Sequence, residues 1–211
     1  MLISISSISA YFEKDMKYHE EPEYYQIIYS NYASACYFKI SDFGISGYNY
    51  RIKIIGFIGW NANGPADIYV TSKEVWGNNA HQYVPACNPK NNWKGADYGP
   101  ISWHINNSYP NYDDCNVYDY NWHYSKDVDK FWCIYHFKTE SPPYPITDMT
   151  QNIVYKIKII DSLTWMPGEG WDFWSFGIMG HSGNWCMHCV IVYWPDVIES
   201  TSLGVVKALF R

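Results

Sequence analysis

Polar and apolar residues alternate along Tyr50-Arg51-Ile52-Lys53-Ile54, as they do in a strand with one face buried and one in water. Asp67-Ile68-Tyr69-Val70-Thr71 and the runs 130–138, 153–160, 171–178 and 185–194 are rich in β-branched and aromatic residues and also predict strands. Turn formers separate them at Asn61-Ala62-Asn63-Gly64-Pro65, Asn88-Pro89-Lys90-Asn91-Asn92, Ser141-Pro142-Pro143 and Pro167-Gly168-Glu169-Gly170. The period changes at both ends. Ile5, Ile8, Phe12 and Met16 fall three or four apart, which predicts an N-terminal helix that Pro22 stops. Leu203, Val206 and Phe210 share one face of a second helix after Pro195. The stretch 77–124 is rich in Asn, Tyr and Trp without a clear period, and reads as long ordered loops with short strands. The expected fold is mainly β, an antiparallel β-sandwich over 22–195 with aromatic-rich loops. Short helical arms at 1–21 and 196–211 complete a single domain, 1–211.

Length and charge narrow the function. A chain of 211 residues suits one domain with a real core. Its net charge of −6 argues against nucleic acid as a partner. No apolar run has the length of a membrane-spanning helix. Met1-Leu2-Ile3-Ser4-Ile5 lacks the basic start of a secretory leader, and none is expected. The 21 Tyr, 11 Trp and 9 Phe look too many for one core, so many of these rings are expected on the surface as contact groups. An internal echo pairs Tyr50-Arg51-Ile52-Lys53-Ile54-Ile55 with Tyr155-Lys156-Ile157-Lys158-Ile159-Ile160, with Trp60 and Trp165 at equal offsets. The echo is either a duplicated half, with two equivalent strands in facing sheets, or convergence, since strands with a Lys-dotted outer face resemble one another.

Few motifs carry chemistry. Cys36, Cys87, Cys115, Cys133, Cys186 and Cys189 allow disulfides in any of about 15 connectivities, or none. Cys133 and His136 with Cys186 and Cys189 have the ligand types of a Cys3His zinc site. Both pairs lie in strand-like runs, where residues three apart face opposite ways, so no metal is expected. Gly180-His181-Ser182-Gly183 lacks the closing glycine and the helix of a nucleophile elbow. Asp113/Asp114 and Asp127/Asp129 have turn-forming surroundings rather than those of an acid–base pair. Asn106-Asn107-Ser108 fits a glycosylation sequon without a leader to give it meaning. No enzyme activity and no cofactor are expected. The remaining feature is the aromatic series Trp76, Tyr83, Trp93, Tyr98, Trp103, Tyr109, Tyr112, Tyr118, Tyr120, Trp122 and Tyr124. Such rings serve either a sugar-binding face or a protein interface.

In overall character the chain resembles viral occlusion-body matrix proteins, the polyhedrins, of the nudivirus kind: about 25 kDa, Tyr-rich, without a leader, a β core with arms. The resemblance carries no family residue onto a position here. It implies a structural protein with no active site that assembles with itself around virions into a dense crystalline body. That body would form in the infected host cell, in the nucleus or else the cytoplasm, and dissolve at alkaline pH as interfacial tyrosines ionise. The alternative is a lectin-like β-sandwich module that binds carbohydrate.

Overall fold

The computed structural model describes residues 11–18, 24–25, 31–60, 63–106, 112–138, 144–147, 162–172 and 187–194. Within them the strands are β1 (Phe12–Lys17), β2 (Tyr24–Tyr25), β3 (Ala33–Lys39), β4 (Asn49–Trp60), β5 (Asn63–Thr71), β6 (Glu74–Gly77) and β7 (Gln82–Pro85). They continue with β8 (Tyr98–Asn106), β9 (Tyr112–Tyr124), β10 (Lys130–Phe137), β11 (Tyr144–Thr147), β12 (Ser162–Met166), β13 (Gly170–Asp172) and β14 (Met187–Trp194). One sheet has the order β1-β14-β4-β11-β2, with β9 also paired to β4. The second runs β13-β12-β3-β10-β5-β8, and β6 and β7 form a separate hairpin. The pairings are antiparallel, so the mainly β expectation holds.

The two sheets close on one apolar core. Tyr50, Ile52, Ile55, Cys189 and Ile191 from the first meet Phe38, Ile68, Val70, Phe131 and Cys133 from the second. Tyrosines bridge the gap with their polar tips. Tyr135 donates to the Ile55 carbonyl at 3.0 Å, and Tyr120 donates to the Ile68 carbonyl at 3.4 Å. A ring that buries its body and bonds its hydroxyl belongs in a core as readily as on a surface.

The second sheet is also covered on its other side. Ala33, Ala35, Tyr37, Tyr69, Trp132, Ile134, Leu163, Trp165 and Trp171 form a second buried cluster with Ala80, Val84 and Cys87 from the segment between β5 and β8. Residues 33–38 and 131–137 are therefore buried without a break, where a half-buried strand would alternate. This two-sided burial absorbs much of the aromatic excess. Among the described residues only Tyr11, Phe12, Trp76 and Tyr83 remain as large exposed rings.

Three expectations change. The N-terminal helix is contradicted where it is described, because Phe12–Lys17 is a strand paired with β14, outermost in its sheet among the described residues. Phe12 and Met16 are four apart, a spacing that puts them on one side of a helix and of a strand alike, so periodicity could not choose. The pairing partner, remote in sequence, decides. The stretch 77–124 holds two long strands, β8 and β9, rather than loops with short strands. Strand β8 makes its bulged pairing to β5 at Gly99, whose φ of +117° leaves Ile68 O 2.6 Å from where a Cβ would stand. Asn63, Gly64 and Pro65, expected in a turn, open β5. The C-terminal helix 196–211, the strand 153–160 and the second copy of the Tyr50 echo lie outside the described residues.

In the outer layer, His136 stands beside Asp67 in register and below Trp93, whose ring is 5.0 Å away and stacks on Tyr69 at 4.0 Å. Neither imidazole nitrogen has a hydrogen-bond partner among the described residues. Burial, aided by Lys138 and opposed by Asp67, brings its pKa down to about 4. The unfolded chain takes up a proton below about 6.5 that the folded chain refuses until about 4, so stability is complete above 6.5 and declines as pH falls between these values. A loss of about 2 kcal/mol is expected between pH 7 and 4.5, allowing for solvent screening. Urea midpoints at the two pH values check this. The difference should shrink in His136→Phe; an unchanged difference would assign it to other groups.

Candidate functional site

Thr71 ends β5 and Tyr98 begins β8, and these neighbouring strands carry the segment 72–97 between them as an excursion over the outer face. Asp97 fastens its base. One carboxylate oxygen accepts from the Ser72 amide at 2.6 Å, the Ser72 hydroxyl at 2.7 Å and the Tyr124 hydroxyl at 2.9 Å. The other lies 3.0 Å from the Lys73 ammonium. Burial alone would raise this carboxyl's pKa, but the bonds from Ser72, Lys73 and Tyr124 outweigh it and hold the pKa below the usual value. Further along, Asn88 and Asn91 close a reciprocal capping box over the 3-10 turn Pro89–Asn91.

The hairpin β6–β7 stands on this base. Trp76 and Tyr83 are directly opposed, with centroids 5.6 Å apart and rings nearly perpendicular at 87°. Val84 faces the other way and packs into the outer cluster, so the alternation of β7 roots one face and leaves the other in solvent. Beneath the rings lies a pocket of about 260 Å³ lined by Tyr37, Glu74, Trp76, His81, Gln82, Tyr83, Lys130 and Trp132. Glu74 Oε1 accepts from the Trp132 indole at 3.0 Å, and Oε2 is paired with the Lys130 ammonium. That ammonium sits 6.0 Å from the centroids of both Tyr37 and Tyr83. The pocket thus joins an exposed aromatic wall to a row of hydrogen-bonding groups.

Comparison with family models, with curated proteins and with solved structures finds no match. The site is therefore read on its own geometry.

Of the aromatic series, the structure brings Trp76 and Tyr83 together at the pocket. Trp93 turns inward over His136 and Tyr69. Tyr98, Tyr120, Trp122 and Tyr124 pack on one another at the inter-sheet core. The side chains of Trp103, Tyr109, Tyr112 and Tyr118 lie outside the described residues. Sequence reasoning missed Tyr37, Glu74, His81, Gln82, Lys130 and Trp132. The one signal for them was that Lys130 and Glu74 each open a strand next to bulky aromatics.

The Cys3His zinc grouping is not assembled. Cys133 points into the inter-sheet core and His136 to the outer cluster, because an odd separation along a strand reverses the face. Cys189 reaches Cys133 from the opposite sheet, while Cys186 lies outside the described residues. Among the described residues no group of three or more His, Cys, Asp or Glu is placed to hold a metal ion. Cys36, Cys87, Cys133 and Cys189 are buried thiols rather than disulfides. Cys36 and Cys133 are cross-strand neighbours, and Cys189 lies in the same buried core cluster. Burial raises the Cys133 pKa well above the usual thiol value and pushes Cys87 up to about 12, which makes both poor nucleophiles. The Cys115 side chain lies outside the described residues, as do His181, Ser182, Asn107, Ser108 and the side chains of Asp113 and Asp114. Asp129 accepts from the Ser41 amide at 3.0 Å and hydroxyl at 2.9 Å, which is the work of a loop anchor. No helix among the described residues is long and apolar enough to cross a membrane.

Proposed function

We propose that this chain is a carbohydrate-binding β-sandwich module, with the hairpin pocket as its sugar site. The observation that supports this reading is the Trp76–Tyr83 pair, 57% and 59% exposed, over a mainly aromatic pocket that also holds Glu74, His81, Gln82 and Lys130. A pyranose presents an apolar C–H face and a rim of hydroxyls. Exposed rings receive the face, and Glu74, Gln82, His81 and Lys130 lie within the same pocket to receive the rim. Glu74 is the one carboxylate lining it, and it is already engaged twice. That suits recognition better than the paired carboxyl groups of glycosidic cleavage.

Titration of the full chain with soluble oligosaccharides selected from a glycan array tests the reading. Trp76→Ala and Tyr83→Ala should each weaken binding about tenfold, the usual weight of an aromatic anchor, while stability stays within about 0.5 kcal/mol. Undiminished binding by both variants would remove the site from this pocket.

A second reading, the self-assembling occlusion-body protein of an infected cell, has its own supporting observation. Tyr11 and Phe12, 66% and 48% exposed, lie at β1, the outermost strand of the first sheet among the described residues, where a second copy could add a strand. On that reading the protein sediments from neutral lysate as particles, whereas a lectin stays in the supernatant.

A further inference from the structure

We infer that the hairpin pocket selects neutral saccharides and rejects those bearing a carboxylate or sulfate, an inference that rests on the carbohydrate reading above.

The reason lies in the Glu74–Lys130 pair. Both charges line the same pocket, and each is matched by the other. Their hydrogen-bonding capacity is not exhausted. An ammonium carries three donors, and one is committed to Glu74. A carboxylate offers about four acceptor positions, of which the Trp132 indole and Lys130 take two. What remains is a donor and an acceptor side by side. A sugar hydroxyl is itself both donor and acceptor, so it can accept from Lys130 and donate to Glu74 without disturbing the pair. An anionic group cannot donate. To reach Lys130 it must approach the Glu74 carboxylate at ion-pair range, where like charges repel, or break the existing pair and leave Glu74 uncompensated in a largely covered position, its side chain 12% exposed. The ring contacts hold the arrangement in place. The Lys130 ammonium lies 6.0 Å from the ring centroids of Tyr37 and Tyr83, and Glu74 is tied to the buried Trp132, which anchors the carboxylate end of the pair. The pocket discriminates through a charge pair that admits hydroxyls and penalises a net negative ligand.

The test uses matched oligosaccharides of one linkage, a neutral hexose oligomer and its hexuronate counterpart, titrated against the full chain by calorimetry at moderate ionic strength. The neutral member should bind at least tenfold more tightly. Glu74→Gln preserves the shape and the indole acceptor but leaves Lys130 unmatched. It should therefore raise affinity for the hexuronate at least tenfold and shrink or invert the preference. Lys130→Gln should widen the preference, and it provides the readout if Glu74→Gln fails to fold by near-ultraviolet circular dichroism. A wild-type chain that prefers the hexuronate, or a preference untouched by either variant, overturns the inference while leaving the sugar site standing. Failure to bind any member of the array overturns the carbohydrate reading, and the inference falls with it.

Discussion

Raising the pH from 8 to 11 is expected to remove at least about 4 kcal/mol from the unfolding free energy, a large share of the stability of an ordinary domain. Tyr50, Tyr120 and Tyr124 are buried, and desolvation raises all three pKa values above 10. Asp97 adds to the rise at Tyr124 by its charge and by accepting the hydroxyl's bond. Below about pH 10 these phenols are neutral in both folded and unfolded chains, so their contribution is complete. Above it the unfolded chain releases protons that the folded chain retains, and stability falls as pH climbs toward the raised folded values. At pH 11 each site withdraws about 1.4 kcal/mol. Buried Cys87, pushed up to about 12, starts the decline near its ordinary value of 9.0. Tyr69, also raised by burial and by Asp67, adds to it. Guanidinium unfolding at intervals of half a pH unit should show the midpoint falling above pH 9. Tyrosinate absorbance of these sites should appear together with unfolding. Complete titration of every tyrosine near pH 10 in a chain that is still folded would refute the burial argument. Alkali on this account acts inside the folded chain, whereas the occlusion-body reading places the sensitive tyrosines at contacts between copies.

Asp97→Ala is expected to destabilise the fold by about 2–4 kcal/mol, the cost of leaving several covered donors without their acceptor. The substitution strands the Ser72 amide and hydroxyl and the buried Tyr124 hydroxyl together, while the exposed Lys73 ammonium turns to water. Tyr124 belongs to the first sheet, and Asp97 precedes β8 of the second, so the bond between them ties the sheets at that end. Asp97→Asn, which keeps one acceptor but loses the charge, should cost less, about 2 kcal/mol. Denaturant unfolding of both variants measures this. A cost below about 1 kcal/mol for Asp97→Ala would show that the excursion is held by its apolar roots alone.

The strands were legible in the sequence where one face of a sheet is paired with a simple alternation, as in Tyr50 to Ile54, or where the run is short and apolar, as in β10 and β14. The turn at Pro89–Asn91 was legible because its Asn and Pro residues act through local bonds. The layering was not. Nothing in the sequence of Tyr37 or Trp132 says that the face opposite the core is roofed by a segment far along the chain. That segment, with its irregular spacing, therefore read as loop. For the same reason the aromatic count suggested a sticky exterior, and the structure spends most of the described rings on two interior layers. At the candidate site, Trp76 and Tyr83 stood out by type, but so did nine other rings. Glu74 and Lys130 are ordinary charged residues until β6 and the start of β10 are brought together.

The roof over the second sheet carries the pocket, and this joins two properties that many binding proteins keep apart. Loops that protrude from a finished scaffold can be exchanged without risk to the scaffold. Here the hairpin face bearing Trp76 and Tyr83 has Val84 on its reverse as part of the packing over Tyr69, Trp132 and Ile134. Changes that shift the hairpin to suit a new ligand must also keep that apolar face covered, or strands buried on both sides become sticky surface. On the carbohydrate reading, specificity is free to drift through the outward side chains of the hairpin, one residue at a time. Its length and its path are fixed by what lies underneath.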